Sequence, residues 1–422
     1  MRQIAITSSV AIIIKFLAFL TCTSETSALL SGLGNPLISV IRDLTWGKIF
    51  SDTPKNNDKI ACKDEQGNFV DWFIVYKLPK IPDSESLLKK EGSAHYFLLP
   101  GDSAWKQSSL AINDSRSSVG RTAEPLKTVA NGQVDEIAAV LYNDQPPDME
   151  PTIRNGHSKG LMMANTKGGF WMPHSIPHFP RVSKTFEYPP GGLDNGQMLF
   201  CLSLPLNTIN EVLGGALEYT KATFYNSSIP ASLESQLSKI QGVIKYNKTA
   251  SGVYYNQYEI GVSDLKISVF AKGPKFHREI YADWIAPYYN SSLNVQSWLN
   301  GAHAYLSNCT LNCSVYNVMK KTILGQGFTF NDDHSKWAVG QNQNSELTCI
   351  ADLNRQKPQK GRGGVALCIR NKNIWSAFQG IVTKTQPCNS THQALKYYSR
   401  TDKVQVTLKS DITTASANAK HH

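Results

Sequence analysis

The sequence lacks several patterns that would place it in a class at once. Beyond the N-terminus, no apolar run approaches the roughly 20 residues that a membrane-spanning helix needs. Its 29 glycines and 20 prolines in 422 residues show no collagen-like or low-complexity bias. No arginine-rich run, helix-turn-helix pattern or zinc finger indicates reading of a base sequence. With 41% hydrophobic and 10% aromatic residues, the chain can bury a large interior and is predicted to be soluble and globular.

The single apolar run, at the N-terminus, predicts a secretory signal peptide over residues 1–28. It extends from Val10 to Cys22, is interrupted by Lys15, and is followed by the small residues Thr26-Ser27-Ala28. A transmembrane anchor is the alternative. The stretch after Lys15 is only about half as long as a spanning helix requires, so a cleaved signal peptide is favoured.

Cysteine usage also indicates an exported protein. No Cys-x-x-Cys pair occurs, and Cys309 and Cys313 lack a second pair of ligands at a zinc-binding spacing, so disulfides are favoured over zinc. Cys22 leaves with the signal peptide. The remaining cysteines are odd in number, so one lies outside the intrachain pairs. They are Cys62, Cys201, Cys309, Cys313, Cys349, Cys368 and Cys388.

Asn-x-Ser/Thr sequons recur along the chain. A single sequon is weak evidence, because the tripeptide arises by chance. Their number, together with a signal peptide, predicts a secretory-pathway glycoprotein with these asparagines on its surface. The acceptor residues are Asn113, Asn226, Asn247, Asn290, Asn308, Asn312 and Asn389.

Strand and helix patterns alternate along the chain, which predicts a mixed α/β fold. β-branched and aromatic runs bounded by turn residues predict strands. Apolar residues at helical spacing predict helices. The predicted strands cover 71–76, 135–142, 157–164 and 169–174, and the predicted helices cover 207–219, 230–242, 277–288 and 293–300.

One tripeptide occurs twice in similar surroundings. His157-Ser158-Lys159 and His334-Ser335-Lys336 each follow a polar turn and precede apolar residues. In a strand, side chains two residues apart point to the same face, so each copy would present an imidazole and an ammonium together. The alternative interpretation is that both histidines are ordinary surface residues.

Two such pairs brought together suit the cleavage of a phosphodiester without a metal ion. One neutral imidazole can attack phosphorus and form a phospho-histidine, while the other, protonated, donates to the leaving oxygen. The two lysines can neutralise the non-bridging oxygens in the transition state. Imidazole suits both roles, because its ordinary pKa of about 6.5 lets neutral and charged forms coexist in mildly acid conditions.

The chain contains the longer motifs Asp71-Trp72-Phe73-Ile74-Val75-Tyr76-Lys77-Leu78-Pro79, Leu141-Tyr142-Asn143-Asp144-Gln145-Pro146-Pro147, Gly156-His157-Ser158-Lys159-Gly160, Gly168-Gly169-Phe170-Trp171 and Asp333-His334-Ser335-Lys336-Trp337. These motifs resemble those of the deoxyribonuclease II family, in the same order along residues 61 to 390. The resemblance implies two pseudosymmetric halves like those of phospholipase D, each a mixed β-sheet flanked by helices, sharing one central cleft. It also implies a metal-independent acid endonuclease that needs no cofactor and leaves 3′-phosphate and 5′-hydroxyl ends on double-stranded DNA.

By this resemblance, His157, Lys159, His334 and Lys336 are the catalytic residues. His174 falls where the family carries a further important histidine, although a buried histidine bonded to the backbone is an equal alternative. The resemblance also implies disulfides Cys62–Cys201 and Cys349–Cys368, with Cys388 joined to Cys313 or Cys309. Ala338 stands where the family often has a cysteine.

The resulting organisation places the signal peptide at 1–28, an extension at 29–60, nuclease halves at 61–230 and 231–398, and a polar tail at 399–422. The formal charge of +10 fits a polyanionic partner, bound through its backbone without base specificity. Secretion and lysosomal residence both fit, stable membrane insertion is not expected, and a homodimer is left open. The alternatives are an inactive secreted homologue that binds DNA or host proteins, and a phosphodiesterase acting on lipid head groups.

Replacing either histidine tests the predicted chemistry. We expect His157→Ala and His334→Ala each to abolish DNA cleavage while the protein stays folded, because each imidazole performs a step that the other cannot. Cleavage is measured on plasmid DNA and folding by circular dichroism. Near wild-type cleavage by either variant would remove that histidine from the chemistry.

Overall fold

The computed structural model describes residues 59–133, 135–300, 303–310 and 312–388. The predicted signal peptide, the tail and Asn389 lie outside the described residues, as does the predicted extension except for its last two residues. Ile60, the last of these, is 5% exposed and packs in the core.

Residues up to 228 form an antiparallel sheet with the strand order β3-β2-β1-β7-β6-β5-β4-β8. The predicted strands at 71–76, 135–142, 157–164 and 169–174 are confirmed as β1, β4, β5 and β6, with boundaries moved by up to three residues. The strands are β1 Trp72–Lys77, β2 His95–Leu98, β3 Lys106–Gln107, β4 Ala138–Asn143, β5 Lys159–Asn165, β6 Gly168–Pro173, β7 Gln197–Leu204 and β8 Phe224–Ser228.

Residues from 255 onward form a second sheet with the order β13-β12-β11-β14-β15-β16-β10-β9, and β17 pairs with β12. The β11–β12 pair is parallel, whereas the other described pairs are antiparallel. The strands are β9 Tyr255–Val262, β10 Leu265–Lys272, β11 Leu293–Gln296, β12 Val315–Ile323, β13 Gln326–Thr329, β14 Trp337–Gly340, β15 Leu347–Ala351, β16 Gly364–Arg370 and β17 Val382–Thr385.

The two sheets repeat one topology. The order β1-β7-β6-β5-β4 in the first matches β10-β16-β15-β14-β11 in the second, and the chain visits the matched strands in the same sequence. β5 directly follows the first His-Ser and begins with Lys159, and its match β14 directly follows the second His-Ser-Lys. The two-half mixed α/β architecture is therefore present, with β12 and β13 inserted in the second half.

Alternating side chains on the strands divide the core into layers. Ile74 from the first sheet and Val269 from the second belong to one apolar cluster that both sheets share. Their neighbours Phe73 and Phe270 instead join separate clusters on the other face of each sheet. The sheets consequently share a central core, and burial of this apolar surface holds the halves together.

Short helices connect the strands. The predicted helix at 207–219 is confirmed as a continuous run with a π-helical middle, Ile209–Gly214. The predicted helices at 230–242 and 277–288 are confirmed in part. Helical residues cover Ala231–Leu233 and Ser238–Tyr246 in the first region, and Tyr281–Ile285 and Ala286–Tyr289 in the second. The α-helices are α1 Leu87–Lys90, α2 Ser118–Thr122, α3 Leu126–Ala130, α4 Gly191–Asp194, α5 Leu206–Thr208, α6 Gly215–Thr220, α7 Ser238–Tyr246, α8 Ala286–Tyr289 and α9 Lys372–Gln379. Further turns are 3₁₀-helical at Ala231–Leu233, Pro274–Phe276, Phe330–Asp332, Gln343–Ser345 and Lys357–Gly361, and π-helical at Tyr281–Ile285.

The predicted helix at 293–300 is wrong, because Leu293–Gln296 forms the central strand β11. All of its residues are buried and its backbone pairs with β12 and β14 on either side. A strand buried on both faces shows no alternation of polar and apolar residues, so its pattern resembles that of a short helix. Within the described part of the chain, no helix is both long and apolar enough to cross a membrane.

The structure contains disulfides Cys62–Cys201, Cys349–Cys368 and Cys309–Cys388, with Cα atoms 6.0, 3.9 and 5.8 Å apart. Assignment of Cys313 to a disulfide is therefore wrong. Its side chain is buried in the outer cluster of the second sheet, and its sulfur lies 3.6 Å from Asn290 Oδ1. Cys309 is half-buried and Cys388 exposed, so these two can meet at the surface.

The predicted glycosylation sites differ in their exposure. Exposed asparagines are Asn113, Asn247, Asn290 and Asn312. Asn226, within β8, and Asn308 are only half-exposed. The four exposed side chains therefore offer the better acceptors, and glycosylation itself stays a prediction.

A buried hydrogen-bond network also joins the halves. The Tyr76 hydroxyl donates to Asp333 Oδ2 at 2.5 Å and accepts from Ser335 Oγ and Trp337 Nε1 at 3.1 and 3.3 Å. Lys321 Nζ lies 3.0 Å from the same Asp333 oxygen. Because Asp333 directly precedes His334, this network fixes the start of the second His-Ser-Lys segment.

We expect Tyr76→Phe to lower the free energy of unfolding by about 1–3 kcal/mol, because the buried Asp333 carboxylate loses a donor. Tyr96 provides a matched control. It pairs with Tyr76 in the neighbouring strand, and its buried hydroxyl has no hydrogen-bond partner among the described residues. Tyr96→Phe should be nearly neutral in chemical denaturation, and equal losses in both variants would contradict a special role for Tyr76.

Candidate active site

The two His-Ser-Lys segments occupy matching places in the two halves. His157 and His334 are half-buried, whereas the serine and lysine of each segment are buried. Strand β5 begins at Lys159 rather than at 157, so both histidines lie in the loops that lead into the strands. Both rings are thus supported by the sheet and still reach the surface.

The backbone of each histidine is held by the opposite half. The His157 N–H donates to the Gly363 carbonyl, and the His334 N–H donates to the Gly196 carbonyl, both at 2.8 Å. Gly363 directly precedes β16 and Gly196 directly precedes its match β7. The two hydrogen bonds are therefore equivalent under the pseudo-twofold relation, and they place both histidines at the junction of the halves.

Close packing explains the glycines at these positions. A Cβ on Gly363 would overlap the Thr220 carbonyl, and a Cβ on Gly196 would lie 2.7 Å from Asp333 Oδ1. Neither site has room for a side chain, so the backbone can approach the histidine loops closely.

The lysines of both segments affect the pKa of each histidine. Burial lowers the pKa of His157 well below its ordinary value, and the Lys159 and Lys336 charges lower it further against the opposing Asp144 carboxylate. Burial lowers the pKa of His334 to about 4, and the Lys336 and Lys159 charges contribute. Each imidazole thus senses the lysines of both halves.

The His157 ring is oriented by a backbone carbonyl. Its Nδ1 lies 2.7 Å from the Asp352 carbonyl oxygen, so Nδ1 carries a hydrogen and a neutral ring has its lone pair on Nε2. The Asp352 carboxyl itself accepts from the Val365 N–H at 3.0 Å, and burial raises its pKa to about 7. His334 instead packs against the edge of Trp298, with ring centroids 4.9 Å apart.

Asp144 and Arg362 hold the first lysine. Asp144 Oδ1 pairs with Lys159 Nζ, and Asp144 Oδ2 lies 2.9 Å from Arg362 Nη2. Burial disfavours ionisation of Asp144, but its electrostatic interactions with His157, Lys159 and Arg362 prevail and lower its pKa well below the ordinary range. The carboxylate consequently stays ionised in acid.

Arg362 also fixes the loop that precedes His157. Its guanidinium donates to the carbonyls of Thr152, Asn155 and Gly156 at 2.8–3.1 Å. Because Arg362 belongs to the second half, this loop too is held from across the junction.

Lys336 differs from Lys159 in its partners. Its ammonium donates to the His334 carbonyl at 2.7 Å. Burial lowers its pKa to about 7, with the Lys159 charge adding to the effect. Below that pH Lys336 is cationic, so it adds positive charge to the site where a phosphate can approach.

His174 lies at the edge of the same site. Its Nδ1 accepts from the Ile176 N–H at 3.2 Å, and its buried Nε2 has no hydrogen-bond partner among the described residues. It shares a small cavity with Lys336 and Asp352, and burial together with Lys159 lowers its pKa to about 3. The residue therefore has the backbone bond of a structural histidine as well as proximity to the site, and its role stays a prediction.

In the described ranges, no group of three or more His, Cys, Asp or Glu side chains is placed to hold a metal ion. The groups that converge are imidazoles and ammoniums, which suit an anionic substrate.

Comparison with known proteins agrees with this geometry. The sequence profile described as Deoxyribonuclease II matches residues 61–388. The chain belongs to the deoxyribonuclease II family. It is 33% identical over 337 residues to plancitoxin-1 of Acanthaster planci, covering 79% of this chain and 93% of that protein.

Vertebrate relatives match to a similar extent. Deoxyribonuclease-2-alpha of Mus musculus is 32% identical over 341 residues, covering 78% of this chain and 94% of the mouse protein. Deoxyribonuclease-2-beta of Homo sapiens is 32% identical over 335 residues, covering 78% and 92%. The match thus spans nearly the whole of these deoxyribonuclease II relatives.

Sequence reasoning missed Arg362, Gly196, Gly363 and Trp298, and interpreted Asp144 only as part of a turn and a family motif. Asp144 had a detectable signal, since a charged residue directly follows the buried strand β4. Each glycine directly precedes a strand, β7 or β16, that the sequence patterns did not predict, and nothing in its local sequence indicates a contact with the other half.

We expect Gly363→Ala and Gly196→Ala each to reduce activity at least about tenfold, since the added Cβ displaces the carbonyl that fixes a histidine. Gly191→Ala is the control, because a Cβ there meets no atom within 4 Å. Plasmid cleavage and thermal melting measure the effects. Full activity in Gly363→Ala would show that the His157–Gly363 bond does not govern the site.

Proposed function

We propose that the protein is a deoxyribonuclease that hydrolyses double-stranded DNA through two histidines and two lysines, without a metal ion. The observation that carries the proposal is the crossed placement of His157 and His334, each bonded to a glycine of the other half. Family membership and the printed names of the deoxyribonuclease-2 relatives support DNA as the substrate.

His157 is assigned as the nucleophile. Its Nδ1–H bond to the Asp352 carbonyl leaves the Nε2 lone pair available, and its strongly lowered pKa keeps the ring neutral in acid. Nε2 attacks phosphorus, the bond from phosphorus to the 5′ oxygen breaks, and the phosphoryl group stays on the 3′ oxygen as phospho-histidine.

His334 is assigned as the general acid. With a pKa of about 4, a substantial fraction of the ring is protonated in acid, and it donates this proton to the departing 5′ oxygen. The neutral ring then accepts a proton from water, which attacks the phospho-histidine and frees His157. The products are 3′-phosphate and 5′-hydroxyl ends.

The lysines stabilise the transition state. Lys159 and Lys336 neutralise the non-bridging phosphoryl oxygens, where negative charge accumulates. Asp144, still ionised in acid, keeps Lys159 in place. Excess positive charge in the site is then reduced when phosphate binds, which favours the substrate.

Recognition is expected to involve the DNA backbone. The chain carries a formal charge of +10, and cations that neutralise phosphates release counterions, which gives strongly salt-dependent binding without base specificity. The disulfides and exposed sequons support the secretory pathway, with lysosomal or extracellular residence. We assign the two nuclease halves to residues 61–230 and 231–398. Whether two chains form a homodimer is left open.

A metal-free plasmid assay across pH tests the proposal. We expect cleavage in excess EDTA, with greatest activity in acid and a decline as pH rises above the pKa of His334, because less of the general acid is then protonated. Bound phosphate shifts this decline to higher pH, since an anion favours imidazolium.

Two outcomes would contradict the proposal. A requirement for added Mg²⁺ would exclude the two-histidine mechanism. Salt-sensitive DNA binding without cleavage at any pH would favour the inactive DNA-binding homologue instead.

A further inference from the structure

Two buried lysines outside the His-Ser-Lys segments occupy matched places in the halves. Lys77 is the last residue of β1 and Lys272 is the last residue of its match β10. Both are fully buried. A buried ammonium destabilises the folded protein unless it is well hydrogen-bonded. The hydrogen-bond partners of these two equivalent ammoniums therefore indicate their role.

Each lysine lies beside one of the glycines that fix a histidine. In the strand register, Lys77 pairs with Gln197, which follows Gly196. Lys272 pairs with Gly364, which follows Gly363. In both halves, the lysine thus pairs with the residue that directly follows a histidine-bonding glycine on the neighbouring strand.

Their ammonium groups bind the loops that lead to these glycines. Lys77 Nζ donates to the Leu193 carbonyl at 2.6 Å. Lys272 Nζ donates to the carbonyls of Arg362, Lys360 and Gln359 at 2.7, 3.1 and 3.2 Å. Each ammonium therefore ties down the backbone that ends at a histidine-bonding glycine.

We propose that Lys77 and Lys272 are equivalent positioning residues: Lys272 holds the Gly363 loop and so orients His157, and Lys77 holds the Gly196 loop and so orients His334. Each lysine acts on the histidine of the other half. The inference rests on the proposed function, since it assigns each lysine to one step of that reaction.

Burial affects both lysines in the same direction. It lowers the pKa of Lys77 to about 7, against the opposing charges of Asp194 and Asp333. It lowers the pKa of Lys272 to about 8, against Glu279. Both ammoniums are charged in acid, where the proposed chemistry takes place.

The test uses Lys77→Met and Lys272→Met, which keep the length of the side chain and remove its charge and donors. Two substrates separate the steps. Plasmid DNA has an alkoxide leaving group that needs protonation, whereas thymidine 3′-(4-nitrophenyl phosphate) releases a nitrophenolate that does not.

We expect Lys272→Met to lower kcat about 100-fold on both substrates, as misplacement of the nucleophile affects every leaving group. Lys77→Met should lower kcat by a similar factor on DNA but leave the first-turnover burst of nitrophenolate nearly unchanged, because formation of phospho-histidine from this ester needs no general acid, whereas the later attack of water still needs His334. The KM values should change little. His157→Ala and His334→Ala supply the reference patterns for the two steps.

Lys80→Met and Lys275→Met are matched controls, since each exposed lysine lies three residues after a buried one. They should keep wild-type kcat on both substrates. If a methionine variant fails to fold, Lys77→Gln or Lys272→Gln, which retains an N–H donor without the charge, should show the same pattern on the two substrates with a smaller loss.

A nitrophenolate burst slowed as much as DNA cleavage in Lys77→Met, or a wild-type burst in Lys272→Met, would overturn the positioning assignment. Wild-type protein inactive on both substrates would instead contradict the proposed function itself. The two failures are therefore distinguishable.

Discussion

The geometry of the site depends on two hydrogen bonds that cross between the halves. Each links a histidine N–H to a glycine carbonyl at the same 2.8 Å, His157 to Gly363 and His334 to Gly196. Neither half alone supplies both the ring and its support. The shared core between the sheets is consequently part of the functional design, because it sets the distance across which these bonds form.

Charge balance is the second constraint on the site. Three cations, Lys159, Lys336 and Arg362, converge where little water can solvate them. Asp144 compensates two of them directly and stays ionised in acid. The remaining positive charge destabilises the folded protein, and we expect a bound phosphate to offset this destabilisation.

Particular residues show how far sequence reasoning extends. The His-Ser-Lys pairs, strand β1 and the Cys62–Cys201 disulfide could be predicted, because each rests on a local pattern or on family motifs. The strand β11 was mistaken for a helix, since its pairing partners β12 and β14 come later in the chain. Cys309 and Cys313 could not be separated by spacing, because burial of the Cys313 side chain decided between them.

The sequence by itself determined two imidazole–ammonium pairs, the cysteines that form disulfides and the deoxyribonuclease II family. Only the tertiary structure decided which groups support them. Gly196, Gly363, Arg362 and the buried lysines act through backbone carbonyls and ion pairs between residues far apart in the chain. Such contacts depend on packing of the two sheets rather than on any neighbouring residue type, and so they leave no local pattern to detect.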